Sequence, residues 1–342
     1  MRTPRLPKLV TAIEEWFPIH QRALPWRQHY DAWHVWVSEV MLQQTRMEVV
    51  LPYHERFIRR FPTVASLAAA SENEVLALWS GLGYYKRATM LHRGAGNVVE
   101  QFGGVIPCEV ADLLTIPGIG RYTAGAIASI AFDRPAPIVD GNVTRLFSRV
   151  FGVEHPLGSS SLARAIWEKA DAIAGLAQSP RALSQGLMEL GAGVCTPRNP
   201  SCDVCPLRSE CSAAATGRTA ELPVPKPRGA IRQLKIPLYI VTDADGRVLM
   251  RREEGKLMRS IYHLPHGDST LLPGQTFDGK RGACLGTFRH TVTNRRIEFT
   301  VYEATSRSIR DRGSAWEWIA PARLGEVPHP SYVTKALRLR RL

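Results

Sequence analysis

Four of the six cysteines, Cys195, Cys202, Cys205 and Cys211, fall in one seventeen-residue stretch, CTPRNPSCDVCPLRSEC. A segment so rich in Pro and polar residues has too few apolar side chains to hold itself by burial, so its sulfurs must fix its shape. Disulfides would need an oxidising compartment. The opening text, MRTPRLPKLVTAIEEWF, places Glu14 and Glu15 where a secretory signal needs an apolar run. No apolar stretch approaches the roughly eighteen residues of a membrane span. The expectation is therefore a cytoplasmic protein, nucleoid-associated if bacterial, with no membrane partner and reduced thiols. Four clustered thiols then read as metal ligands. Tetrahedral zinc and a [4Fe–4S] cluster both accept four Cys, and spacing alone does not choose between them.

Around this loop the chain changes character once. From Leu6 to about residue 215 the text carries apolar stripes at helical spacing, broken by Pro, Gly and Ser. Then TGRTAELPVPKPRGAIRQLK alternates Pro223, Pro225 and Pro227, the composition of a semi-rigid linker. Beyond it, LYIVTD and RVLMRR flank a DADG turn, and LGTFRHTVT and RIEFTVYEA flank Asn294, which reads as two hairpins. WEWI adds a short strand and SYVTKALRLRRL a closing helix. The expected fold is α+β and multidomain: a helical body over 1–215, a linker over 216–233, and a β-rich domain over 234–342.

The net charge of +13 points to a polyanionic partner, and nucleic acid is the first candidate. Arg supplies 36 of the 44 basic residues, and its planar fork suits phosphate. Within AWHVWVSEVMLQQT, residues 32–45, Glu39 is the one formal charge among apolar neighbours. A carboxyl buried there has a raised pKa and suits a general acid; an ion pair with a distant Arg would suit it equally. Asp140, in RPAPIVDGNVTRLF, stands where an extended run breaks and a helix begins. It reads as a helix N-cap, or as a carboxylate held ionised by the helix end. An ionised Asp facing a protonated Glu can cleave a glycosidic bond through an oxocarbenium-like state. Pro117-Gly118-Ile119-Gly120 makes a tight turn between helices near 113–132, with open N–H groups for a phosphate and glycines for positive φ.

These stretches occur in a telling order: LPWR (24–27), SEVMLQQT (38–45), GLGYYKRA (81–88), IPGIGRYTAGAIASIAF (116–132), VDGNVTRLF (139–147), then the cysteines at C-x6-C-x2-C-x5-C. Together they resemble adenine DNA glycosylases of the MutY type, within the helix-hairpin-helix glycosylase superfamily. The resemblance covers the helical body almost throughout and the β domain more loosely. It implies a [4Fe–4S] cluster on Cys195, Cys202, Cys205 and Cys211, and a C-terminal Nudix-like α/β domain that recognises 8-oxoguanine. It implies a monomeric, monofunctional enzyme on double-stranded DNA, removing adenine opposite 8-oxoguanine or guanine after base flipping. By the same resemblance Glu39 and Asp140 are catalytic, supported by Tyr122 and Asn142, and Trp26, Arg27 and Glu189 line the adenine pocket. Gln44, Thr45, Leu82, Tyr84, Gly118, Gly120, Phe288, Arg289 and His290 would touch the DNA or the lesion. For Leu82 and Tyr84 a plain core role also fits. Cys108 and Cys284, outside the cluster, read as buried thiols.

Three rivals compete. A bifunctional glycosylase of the endonuclease III type shares the cluster, but it places a Schiff-base lysine where Tyr122 stands, and tyrosine cannot form an imine. A non-catalytic iron–sulfur DNA-binding module would not need Glu39 and Asp140 in their motifs. Nucleotide pyrophosphatase chemistry in the β domain needs a Glu-rich metal helix, and residues 267–286 contain no Glu.

Overall fold

The structure is a computed structural model that describes residues 4–226, 231–253, 261–267, 282–292, 295–305 and 316–340. It divides into two compact units, one of residues 1–68 with 93–227, the other of residues 69–92 with 228–342. The overall class is α+β.

The first unit is helical. Its central helix, Ala32–Leu42, starts where the Asp31 carboxylate accepts from the backbone N–H groups of Trp33 and His34. Eight of its eleven residues are buried, including Trp36 and Met41. Helices Val110–Leu113 and Arg121–Ala126 form the hairpin. Gly118 takes φ +89° in the turn, where a side chain would be strained. Gly120 differs from expectation: at φ −101°, ψ 179° it is an extended N-cap open to any residue. Beyond Ala126 the helix relaxes into a π-turn over Ile127–Ala131. Arg181 binds the carbonyls of Ile130 and Ala131 there, which satisfies the helix end. Helix Gly141–Phe151 begins at Asp140 and stops at Gly152, in the left-handed region at φ +64°.

The linker text is only partly free of this unit. Leu222 is buried, its carbonyl accepts from Arg149, and the Val224 carbonyl accepts from the Leu157 N–H.

The second unit is built on a mixed sheet of β1 (Arg232–Thr242), β2 (Val248–Arg252), β3 (Tyr262–His263), β4 (Cys284–Val292), β5 (Arg295–Thr305) and β6 (Trp316–Ile319). The order is β3-β2-β1-β5-β4, with β6 also paired to β2. The two hairpins form as the sequence suggests. At the first turn, the Asp243 carboxylate accepts from the N–H groups of Asp245 and Arg247. The sheet is joined by a parallel β1–β5 register running from Arg232↔Arg295 to Thr242↔Thr305. Helix Ser331–Leu339 packs Tyr332, Val333, Ala336 and Leu337 into the core with Ile236, Leu238, Phe299 and Val301. Segment 69–92 belongs here by its contacts: the Tyr85 hydroxyl donates to the His329 carbonyl, and Arg252 donates to Asn73 at 3.1 Å.

Two thiols depart from expectation. Cys108 is half-buried in the loop before Val110, and Cys284 is exposed because it begins β4, an outer strand of the sheet. Asn294, residues 227–230 of the linker and residues 268–281 of the Glu-free segment lie outside the described residues.

Candidate active site

Three elements of the first unit converge on an open cleft of about 1100 Å³. Glu39 comes from the central helix, Tyr122 from the hairpin's second helix, and Asp140 from the N-cap of Gly141–Phe151. All three line the cleft, with Trp26, Arg27, Gln44, Thr45, Gly118, Gly120 and Asn142.

Glu39 is 4% exposed. Burial lifts its pKa to about 7, partly opposed by the hydrogen bond from the Tyr122 hydroxyl to Oε2 at 2.6 Å, while Asp140 adds to the rise. Tyr122 is pushed well above the ordinary phenol value by burial and by both carboxylates, so it stays a donor. The Asp140 carboxylate caps its helix, accepting from Val143 N–H at 2.7 Å and from Asn142 Nδ2 at 3.1 Å. The helix-end donors bind this carboxylate as the N-cap reading expects. Burial raises its pKa, against the pull of those donors and of Arg145. The cleft thus holds two desolvated carboxyls, of which Glu39 keeps its proton near neutral pH.

Trp26 is buried against the His54 ring, with centroids 5.0 Å apart. Arg27 is held by Glu189 Oε1 at 2.5 Å and by Gln185 Oε1 at 2.8 Å. Glu189 sits behind the lining and also accepts from Arg22 Nε at 2.8 Å. Arg22 and Gln185 carry no motif that sequence could flag; only the fold brings Arg22 to this carboxylate and Gln185 to Arg27.

The remaining expected contacts belong to the second unit. Leu82 and Tyr84 lie in the second unit, Leu82 buried and Tyr84 half-exposed at φ +48°. Phe288, Arg289 and His290 are consecutive in β4, so Phe288 and His290 share one face of the sheet and Arg289 takes the other. Phe288 and His290 pack toward Phe299, and His290 also meets Tyr332, while Arg289 points the other way, exposed, 3.6 Å from Glu298.

The four clustered cysteines, all free of disulfides, surround a hollow lined by Leu146, Arg149 and Val150. Among the described residues no three His, Cys, Asp or Glu side chains approach closely enough to share one metal ion. Four thiol donors around one hollow are a donor set that suits an iron–sulfur cluster. Arg145 connects this loop to the cleft. Its Nε donates to the Cys195 carbonyl at 2.8 Å, and its Nη2 to the Gly191 carbonyl at 2.6 Å and to Asn142 Oδ1 at 2.9 Å. Asn142 in turn donates to Asp140.

Residues 37–171 match the HhH-GPD superfamily base excision DNA repair protein family, and residues 195–211 the iron–sulfur binding domain of endonuclease III. The chain is 34% identical over 260 residues to an adenine DNA glycosylase of Buchnera aphidicola subsp. Schizaphis graminum, covering 76% of this chain and 75% of that protein. It is 45% identical over 220 residues to the adenine DNA glycosylase of Rattus norvegicus, covering 61% of this chain but only 42% of the rat protein. A thermostable thymine-DNA glycosylase superposes with TM-score 0.54 and 26% identity, over 62% of this chain and 97% of that one. No described helix is long and apolar enough to cross a membrane. The chain belongs to the adenine DNA glycosylases of base excision repair, in the HhH-GPD superfamily, and carries the endonuclease III-type [4Fe–4S] domain on its cysteines 195–211.

Proposed function

We propose that this glycosylase is monofunctional and removes adenine mispaired with 8-oxoguanine or guanine in duplex DNA, as a monomer acting on chromosomal DNA in the cytoplasm. The observation that carries this reading is the buried Glu39, with a pKa of about 7, facing Asp140 across a cleft wide enough for an extruded base. Glu39 gives its proton to a ring nitrogen of the flipped adenine. The C1′–N9 bond breaks, its electron pair leaves with the base, and the Asp140 carboxylate stabilises the oxocarbenium sugar. Water adds to C1′ and releases a proton, which restores the acid. Trp26 and Arg27 form one wall for the base, Glu189 braces Arg27 from behind, and Asn142 holds Asp140 in place. Gly118 and Gly120 present backbone N–H groups to a phosphate, while Gln44 and Thr45 reach the gap that the base leaves.

The 8-oxoguanine recognition is assigned to the C-terminal sheet domain, linked to the helical body through residues 216–233. Within the cysteine loop, the cluster's role is structural, holding Arg198 and Arg208 where a basic loop can meet DNA.

Excision measured on A opposite 8-oxoguanine, A opposite G and A opposite C tests the substrate. Rapid excision on the first two with little on the third is expected, and the abasic strand should break only after alkali or heat. Prompt strand cleavage, with borohydride trapping of an enzyme–DNA adduct, would instead establish the bifunctional reading. Asp140→Asn should lose about a hundredfold or more in rate, because the amide leaves the developing cation unopposed.

A further inference from the structure

Arg149 is 2% exposed, yet no carboxylate among the described residues pairs with it. Its N–H groups go instead to the carbonyls of Leu222 (2.9 Å), Thr196 (2.7 Å) and Pro197 (3.2 Å), and to Cys195 Sγ at 3.3 Å. Arg145, on the same helix four residues earlier, brings a second cation to the same loop, so the local charge is doubly positive. A buried guanidinium without a carboxylate partner is costly, and its three bonds to neutral carbonyls do not offset its charge. The anionic groups at hand are the sulfurs of the hollow that Arg149 itself lines, together with Cys195, Cys202, Cys205 and Cys211.

We propose that Arg149 is the counter-cation of the iron–sulfur cluster and sets its reduction potential. A fixed positive charge, with an N–H directed at a ligating sulfur, stabilises the more electron-rich cluster state and so raises the potential. The same charge–sulfur attraction ties the loop to helix Gly141–Phe151. Arg149 acts through the cysteine ligands and touches neither cleft nor substrate, which makes it a positioning residue for the cofactor.

The test is voltammetry on the full-length holoprotein, purified without oxygen, with iron content measured alongside. Arg149→Met and Arg149→Gln remove the charge, Arg149→Lys keeps it, and Arg164→Met removes an exposed arginine from a neighbouring helix as control. The two neutral variants should shift to more negative potential, with Lys and the control close to the parent. Failure of both neutral variants to retain iron, with retention by Lys, supports the same role. An unshifted potential in an iron-replete neutral variant overturns the proposal. So does a shift in Lys or in the Arg164 control as large as in Met, and so does loss of iron from Lys as well. Those results would leave Arg149 as a clamp for carbonyls alone.

Discussion

Glu39 shows how one residue can be costly to the fold and useful to the reaction. Burial lifts its carboxyl to about 7 in the folded protein, against the ordinary value of 4.5. Below pH 4.5 both states carry the proton and there is no penalty. As pH rises to about 7 the unfolded chain ionises and the folded one resists, so stability falls by about 3 kcal/mol in all. Glu39→Gln should therefore melt higher than the parent at pH 8 and equally at pH 4.5 by calorimetry, while its single-turnover excision disappears. Undiminished excision in that variant would remove Glu39 from the acid role. The parent's excision should decline as pH rises through about 7, because the reacting form is the protonated one. Tyr122→Phe deletes the hydrogen bond that lowers the Glu39 pKa, so this limb should move to higher pH. An unmoved limb would mean that another group titrates.

Helix Gly141–Phe151 is the element on which catalysis and cofactor meet. Asp140 caps it, Asn142 lies in its first turn, and Arg145 and Arg149 run down to the cysteine loop. Its packing against Gly191 is close: a Cβ there would stand 2.6 Å from the Asn142 Cβ and 3.2 Å from its backbone. Gly191→Ala should displace Asn142 and cost far more in excision rate than in melting temperature; equal losses would mean plain core damage. Cys202→Ser should lower iron content and weaken DNA binding more than it lowers helicity by circular dichroism, and unchanged binding without iron would count against the loop's DNA role. Much of this was legible in the sequence. Asp140 announced itself because a carboxylate before Gly-Asn at the end of an extended run is N-cap chemistry, and Glu39 because it stood alone in an apolar helix. Arg145 and Arg149 were silent, since in sequence an arginine on an amphipathic helix reads as solvated. The parallel β1–β5 pairing was equally silent, because hairpin signals are local and this register joins strands about sixty residues apart.

For the molecule as a whole, the second unit carries its own response to acid. His263 is buried, accepts or donates to the Tyr332 hydroxyl at 2.6 Å, and is lowered to about pKa 3, first by burial and then by His266, Arg251 and His329. His290 and His329 are shifted the same way, mainly by burial. His263 thus stays neutral when folded across this range and protonates near 6.5 when unfolded. Stability therefore drops as pH falls below 6.5, by about 1.4 kcal/mol per pH unit for a histidine such as His263. Urea midpoints taken from pH 7 to 5 should fall, and His263→Gln should flatten the slope; a slope unchanged by that substitution would assign the effect elsewhere. The same unit is assembled from two distant pieces of chain, since Tyr85 and the His329 carbonyl it binds are separated by 244 positions. On a ribosome adding about 5–20 residues per second, segment 69–92 emerges roughly 12–50 s before residue 329 exists. The order of birth is thus not the order of completion: residues 1–68 and 93–227 can close around their core first, carrying segment 69–92 as an unfinished insertion that waits for the end of translation.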